Sequence, residues 1–273
     1  MTTKQGINKK VIAMIDVAFR KHSLEGYDSV WGIGGDEGTG KSSLAAWLLH
    51  YWLLRLNGEV VEDDYRLMAL DKEQFLSALK TLPKGGGIVF DETDIISRQS
   101  MAKANIQFMK MYQIIRAKQF LSVLVLPSLF DLDGFFRKRR LRGYFHVTKR
   151  GVAHFWSKTK LRKMVALNDR LPVKNPFVVK PTHTFAFSAY DGPFEGKYRE
   201  AKDEKMRTII EDIEREFEKE DKGDDELIHE RLFEAFADGV KTTEICKKWN
   251  INPQMLSSYK KKWLAHRMRR GEI

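Results

Sequence analysis

Eight consecutive residues near the amino terminus have the types and spacing needed to hold phosphate groups. They fit the pattern G-x-x-x-x-G-K-[ST] at every fixed position, and their sequence is Gly35-Asp36-Glu37-Gly38-Thr39-Gly40-Lys41-Ser42. Glycines let successive backbone N–H groups turn toward phosphate oxygens, and the following helix adds its positive end. We expect Lys41 to reach the β and γ phosphates of ATP and Ser42 to ligate Mg²⁺, with Ser43 completing the loop. The alternative is a glycine turn that matches by chance.

A second candidate element is a short apolar run that ends in two acidic residues, Asp91 and Glu92. Residues 88–90 predict a buried strand, which would carry Asp91 to the carboxyl edge of a sheet. There Asp91 would hold the Mg²⁺ shell and Glu92 would polarise the attacking water. A solvated acidic turn is the alternative, and the preceding phosphate loop favours the functional interpretation.

Apolar strands alternating with helices surround these two motifs. Such alternation indicates an α/β fold with a mainly parallel sheet covered on both faces. The expected strands are residues 27–33, 65–70, 88–90 and 121–126, and the expected helices are residues 7–22, 42–56, 71–83 and 98–118. Asp71 and Gln74 form a capping box for the third helix. The phosphate loop therefore lies between a strand and a helix, as nucleotide binding requires.

The next part of the chain is basic and has the pattern of a β-hairpin. Residues 142–147 and 152–157 flank a turn at 148–151, and aromatic residues alternate along both strands in a way that favours core packing. The basic side chains favour nucleic-acid binding, with a solvated surface or acidic lipid as alternatives. The candidate DNA-binding residues here are Arg137, Arg139, Arg140, Lys149 and Arg150.

The C-terminal third of the chain predicts a linker and a small helical domain. We expect a first domain over residues 1–196, a charged helical linker over 197–225 that frays at 221–224, and a three-helix unit over 226–273. The segment TTEICKKWNINPQMLSSYKKKW resembles the helix-turn-helix of small terminase subunits and transposases. That resemblance implies DNA contacts from Gln254, Ser257, Ser258, Lys261 and Lys262, whereas a protein-docking module of the same shape is the alternative.

Composition narrows the class of protein. The 273 residues carry 48 Lys and Arg against 37 Asp and Glu, a formal charge of +11, which favours a polyanionic partner or a membrane surface. A single cysteine excludes a disulfide within the chain. The apolar stretches are too short to cross a bilayer, so we expect a cytoplasmic protein without a membrane segment.

The region from about residue 27 to 156 resembles P-loop ATPases that carry a catalytic glutamate directly after the metal aspartate. Within that group it is similar to DNA-pumping motors of the FtsK–HerA type and their viral, plasmid or Zot-like relatives. The resemblance implies a RecA-like fold, ATP hydrolysis with Mg²⁺, and a homo-oligomer such as a hexameric ring. It also implies that a polar residue after the next strand senses the γ-phosphate; Ser128 stands there, where the motors more often have Gln or Asn.

Such motors often receive an arginine at the γ-phosphate from a neighbouring subunit. Arg98 and Arg116 are 18 residues apart, which places them at the same azimuth of the predicted helix. Either could face a neighbouring subunit, and a solvated or structurally paired arginine is the alternative for both.

Overall fold

A computed structural model describes residues 6–91, 113–238 and 240–249, together with 252–253, 256–257, 260–261 and 263–264. The chain divides into two compact units, Met1–Asp203 and Glu204–Ile273. The boundary expected from sequence, at residues 196–197, lies slightly before this division.

The first unit is built on one seven-stranded sheet. Its strands are β1 (Ser29–Gly35), β2 (Met68–Ala69), β3 (Gly87–Phe90), β4 (Leu121–Val125), β5 (Gly143–Lys149), β6 (Val152–Ser157) and β7 (His183–Ala186). They lie in the order β2-β3-β4-β1-β5-β6-β7. The first five of these are parallel, and β6 and β7 extend the sheet antiparallel beyond β5. The architecture is α/β and mostly parallel, consistent with the predicted RecA-like fold.

Helices cover both faces of this sheet. They are α1 (Lys9–Glu25), α2 (Lys41–Asn57), α3 (Lys72–Thr81) and α4 (Lys158–Asn168), followed by α5 (Glu195–Ala237) and α6 (Thr242–Trp249). Side chains alternate along β1, so that Trp31 and Ile33 join the apolar cluster under α1 and α2 while Val30 joins the cluster under α3 and α4. Burial on both faces explains why the parallel strands are continuously apolar.

The ends of the helices follow from local chemistry. Helix α2 stops at Gly58, whose backbone has φ 81° and whose N–H donates to the Leu54 carbonyl at 3.1 Å. At the start of α3, the Asp71 carboxylate accepts the Gln74 N–H at 2.8 Å, as predicted. The Gln74 side chain returns to the Leu70 N–H at 2.8 Å rather than to Asp71.

Three features differ from the sequence-based expectation. The predicted hairpin forms, but as β5 and β6 of the central sheet rather than as a separate region. Helix α4 and strand β7 were not predicted, because α4 is strongly basic and β7 is short with only Phe185 buried. The expected fraying at residues 221–224 is wrong, since α5 is helical without interruption. Near its start, α5 has an ion pair between residues one turn apart, Arg199 and Glu195 at 2.6 Å, and such pairs stabilise helices.

The second unit has a small apolar core of its own. Leu232, Phe236, Ile245 and Leu256 are buried, and the ring of Trp263 lies 5.7 Å from that of Phe236. The third helix of the predicted helix-turn-helix falls largely outside the described residues. Among the helices that the structure describes, none is long and apolar enough to cross a membrane.

Candidate nucleotide site

The predicted phosphate loop joins the carboxyl end of β1 to the start of α2. Three of its glycines have positive φ angles: 142° at Gly35, 70° at Gly38 and 96° at Gly40, which precedes α2. A side chain on Gly35 would have no space, because its Cβ would lie 2.2 Å from the Val147 carbonyl oxygen on β5. Close approach of β5 therefore fixes where the loop begins.

We expect Gly35→Ala to lower the free energy of unfolding by about 2–4 kcal/mol, because it adds a clash with backbone to an unfavourable φ. Gly38→Ala is the matched control, since its φ is also positive but a Cβ there meets no atom within 4 Å. It should cost only about 1 kcal/mol. Denaturant unfolding of both variants measures the difference, and equal losses would mean that β5 does not constrain the loop.

Lys41 is the first residue of α2 and turns back over the loop. Its ammonium donates to the carbonyl oxygens of Gly35 at 2.7 Å and Asp36 at 2.8 Å. Burial lowers the pKa of Lys41, and the nearby charge of Lys202 acts in the same direction, while neighbouring carboxylates, led by Asp91, oppose them. Ser42 follows, half buried, so the lysine and hydroxyl stand together at the helix start.

Asp91 directly follows β3 at the same edge of the sheet and is only 2% exposed. Its N–H donates to the Ala69 carbonyl at 2.9 Å, which fixes its backbone beside β2. The Asp91 carboxylate accepts a short hydrogen bond from the Tyr198 hydroxyl and pairs with the Lys202 ammonium at 3.1 Å. Both partners lie one turn apart on α5, in a segment that the sequence indicated as a solvated linker.

Strand β4 lies between β1 and β3, so the residues after it also reach this edge. The Pro127 carbonyl accepts the Gly35 N–H at 3.1 Å, which places the neighbouring Ser128 beside the start of the phosphate loop. The Ser128 hydroxyl accepts the Phe130 N–H at 3.2 Å. The predicted catalytic residues Glu92 and Arg98 lie outside the described residues.

The turn between β5 and β6 brings an arginine to the loop. Arg150 Nε donates to the Gly38 carbonyl at 3.0 Å, although sequence reasoning assigned Arg150 to DNA. On β5, His146 is in register with Gly34. Burial lowers the pKa of His146, and His154 and Lys41 add to this while Asp36 opposes it. We therefore expect the His146 imidazole to add no positive charge beside the phosphate loop at neutral pH.

These residues fit ATP and Mg²⁺. The tight glycine loop, the Lys41 ammonium and the start of α2 could form a phosphate cradle, and Ser42 and the buried Asp91 are the described residues whose oxygens could ligate a metal. Mg²⁺ in such sites takes one or two protein carboxylates and completes its shell with phosphates and water. Within the described part of the chain, no group of three His, Cys, Asp or Glu side chains could hold a metal alone.

The predicted basic surface near residue 137 is partly interior. Arg137 is 5% exposed, donates to the Phe130 carbonyl at 3.0 Å and lies over the Phe130 ring. Arg140 pairs with buried Asp28 at 2.5 Å and is 17% exposed. Both guanidinium groups therefore have partners within the first unit, where the sequence predicted a basic surface. Arg139 and Lys149 are exposed and make no ion pair with any described residue.

The aromatic residues of β5 and β6 fill the core, as the alternation predicted. Those that are buried are Tyr144, Phe145, Phe155 and Trp156. In the second unit, Ser257 and Lys261 are exposed helical residues, whereas Gln254, Ser258 and Lys262 lie outside the described residues. Arg116 is also exposed, but it precedes β4 and so lies at the opposite edge of the sheet from the phosphate loop.

No protein-family model matches the chain, and no curated protein is significantly similar to it in sequence. Among solved structures, it is similar to the N-terminal domain of zonular occludens toxin from Neisseria meningitidis, with 12% identity and a TM-score of 0.36 over 62% of this chain and 98% of that one. A chain of the E. coli MS115-1 HORMA:CdnC:Trip13 complex gives 13% identity and a TM-score of 0.34 over 60% and 73%. Likenesses this weak add nothing to the fold assignment, which rests on the strand order.

Proposed function

We propose that this chain hydrolyses ATP to ADP and phosphate and uses the cycle to move, package or remodel DNA, as a motor of viral or plasmid type. The observation that carries the ATPase proposal is that the phosphate loop follows β1 and the buried Asp91 follows β3, so both lie at the carboxyl ends of the parallel strands that flank β4. A phosphate-binding lysine and a buried metal carboxylate are the two groups that nucleotide hydrolysis needs first.

The position of each residue indicates its proposed role. Lys41 and the loop amides would bind and orient the phosphates, and Ser42 with Asp91 would hold the metal. When bound, Mg²⁺ supplies charge neutralisation at the phosphates. Glu92, the next residue after Asp91, would accept a proton from the attacking water, and Ser128 would contact the γ-phosphate from the end of β4.

DNA is the proposed partner because the chain has a formal charge of +11 and exposed basic residues in both units. Arg139 and Lys149 would contact phosphates from the first unit, and Ser257 and Lys261 from the second. We further propose a homo-oligomer, such as a hexameric ring, that works in the cytoplasm of a cell or host.

A nucleotide-switched DNA-binding regulator, or a replication or transposition loader, is the second candidate function. It is favoured by the separate C-terminal core of Leu232, Phe236, Ile245 and Leu256, which is independent of the phosphate loop. In such a protein ATP binding would order an assembly and turnover would be incidental. A small-molecule kinase shares the phosphate loop but gives the C-terminal unit no role.

The deciding experiment is an ATPase assay without DNA, with single-stranded DNA and with long duplex DNA. The motor proposal expects turnover that rises strongly with long duplex. ATP-dependent occupancy of one DNA sequence with little turnover would favour the regulator instead. Failure to bind ATP at all would contradict both.

Deleting residues 226–273 should separate the two proposed DNA contacts. The deletion removes the whole second core, so DNA recruitment and site preference should be lost while basal ATPase activity remains.

Changing Arg139 and Lys149 together to Gln should instead lower the slope of log affinity against log salt by about 2, because two phosphate contacts disappear. If a folded truncation lost basal hydrolysis, the C-terminal unit would belong to the catalytic assembly.

A further inference from the structure

We propose that Lys202 is a tethered cation that competes with Mg²⁺ for Asp91, so that metal binding and release of the lysine are one exchange. The inference rests on the proposed nucleotide site. It assigns a role in that site to helix α5, which the phosphate-loop and Asp91-Glu92 motifs do not include.

The Asp91 carboxylate is buried, and a buried negative charge is costly without a positive partner. Lys202 supplies that partner at 3.1 Å, in the one ion pair that Asp91 makes among the described residues. The ammonium bonds to Oδ2, which also accepts from the Tyr198 hydroxyl. Two donors from one helix thus meet at a single oxygen of the predicted metal ligand.

The two donors differ in how firmly they are held. Tyr198 is buried in the core under α1 and α2, whereas the Lys202 side chain is 35% exposed. A lysine side chain is flexible and keeps its ammonium in water when it leaves a partner. Lys202 can therefore leave Asp91 while Tyr198 keeps α5 in place.

Electrostatics give the direction of the exchange. The Lys202 charge already acts on Lys41, whose pKa it helps to lower after the larger effect of burial. A divalent ion placed on the same carboxylate would add much stronger repulsion toward the Lys202 ammonium, because Mg²⁺ binds oxygen at about 2.0–2.1 Å. Oδ2 already accepts from Tyr198 and Lys202, so Mg²⁺ can take this oxygen only when the ammonium leaves it. The ammonium also repels a metal on either oxygen of the carboxylate, so removing the lysine should favour the metal.

The test is binding of a fluorescent, non-hydrolysable ATP analogue to the full chain across a Mg²⁺ titration. Lys202→Gln should lower the half-saturating Mg²⁺ concentration about three- to tenfold, because the competing pair no longer reduces the competent fraction. Lys202→Arg should stay near the wild type. Arg199→Gln is the matched control, since Arg199 lies on the same helix, is exposed and pairs with Glu195.

Two results would overturn the inference while leaving the nucleotide site intact. One is an unchanged Mg²⁺ requirement in Lys202→Gln. The other is weaker analogue binding by this variant both with Mg²⁺ and with chelator, which would make Lys202 a phosphate contact. A wild-type chain that binds no analogue at any Mg²⁺ concentration would instead overturn the proposed function, and this inference with it.

A measurement on the wild-type chain avoids any variant that fails to fold. Lysines are acylated with and without Mg²⁺ and the analogue, and the modified peptides are quantified by mass spectrometry. Lys202 should become more reactive when both are present, while Lys41 becomes less reactive. Lys197 pairs with Glu62 and Asp63, each at 3.2 Å, and serves as the internal control. Greater protection of Lys202 would contradict the exchange.

Discussion

Glu92→Gln is expected to keep ATP binding and to lose hydrolysis by about 10²–10⁴-fold, because a general base acts in the transition state rather than in the bound ground state. Lys41→Ala is expected to weaken or abolish nucleotide binding itself, since the ammonium is the loop's charged phosphate contact. Equilibrium ATP binding and phosphate release, measured on both variants, separate the two effects.

Glu59→Gln is the matched control for Glu92→Gln, because Glu59 is an exposed glutamate just beyond α2 and outside the site. It should leave both measurements unchanged. Lys41→Ala also removes hydrogen bonds to the Gly35 and Asp36 carbonyls, so its thermal unfolding is compared with the wild type. Normal turnover in Glu92→Gln would remove Glu92 from the catalytic machinery.

The sequence predicted the parts of the site that are encoded locally. The phosphate loop is a contiguous pattern with Lys41 at its end, and Asp91 follows a run whose apolar character alone indicates a buried strand. Parallel strands bring their carboxyl ends to one edge of the sheet, so the meeting of these two motifs follows from the α/β alternation. The local sequence patterns and the α/β topology were together sufficient to predict that Lys41 and Asp91 lie at the same edge of the sheet.

The remaining site residues come from tertiary packing, which a local pattern does not encode. Tyr198 and Lys202 are 107 and 111 residues from Asp91, and Arg150 is 112 residues from Gly38. The charge pattern around α5 favoured a solvated helix, yet Tyr198 is buried and Lys202 is partly buried beside Asp91. A tyrosine and a lysine four residues apart were the available signal, but such pairs are common on exposed helices.

Burial also explains why the basic run near residue 137 was misread in part. Four consecutive basic residues indicate a charged surface, yet a π-helical turn at Phe136–Arg140 directs Arg137 and Arg140 inward. Buried Asp28 and the Phe130 carbonyl receive them. Charge density along a sequence predicts net charge well, but it does not predict which guanidinium groups remain in solvent.

The position of each candidate arginine relative to the phosphate loop limits which γ-phosphate it could serve. Arg116 precedes β4, whose five residues span about 16 Å, and the phosphate loop lies at the far end of that strand. If Arg116 serves a γ-phosphate, it must therefore be one bound to a neighbouring subunit. Arg150 already touches the loop of its own chain through the Gly38 carbonyl. For Arg98, too, the question is whether it serves the γ-phosphate of its own chain or that of a neighbouring subunit.

Mixing inactive subunits distinguishes these arginines, with an expected effect of about 10³-fold or more for a true finger. Lys41→Ala subunits mixed with Arg116→Ala or Arg98→Ala subunits should regain partial activity, because an intact loop then meets an intact arginine across an interface. Lys41→Ala mixed with Arg150→Ala should regain none, since each chain then carries one defect in its own site. Arg20→Ala, an exposed arginine of α1, should be fully active alone. Rescue of Arg150→Ala would show that Arg150 itself acts across an interface. Full activity of a wild-type monomer at high dilution would show that catalysis needs no arginine from another subunit.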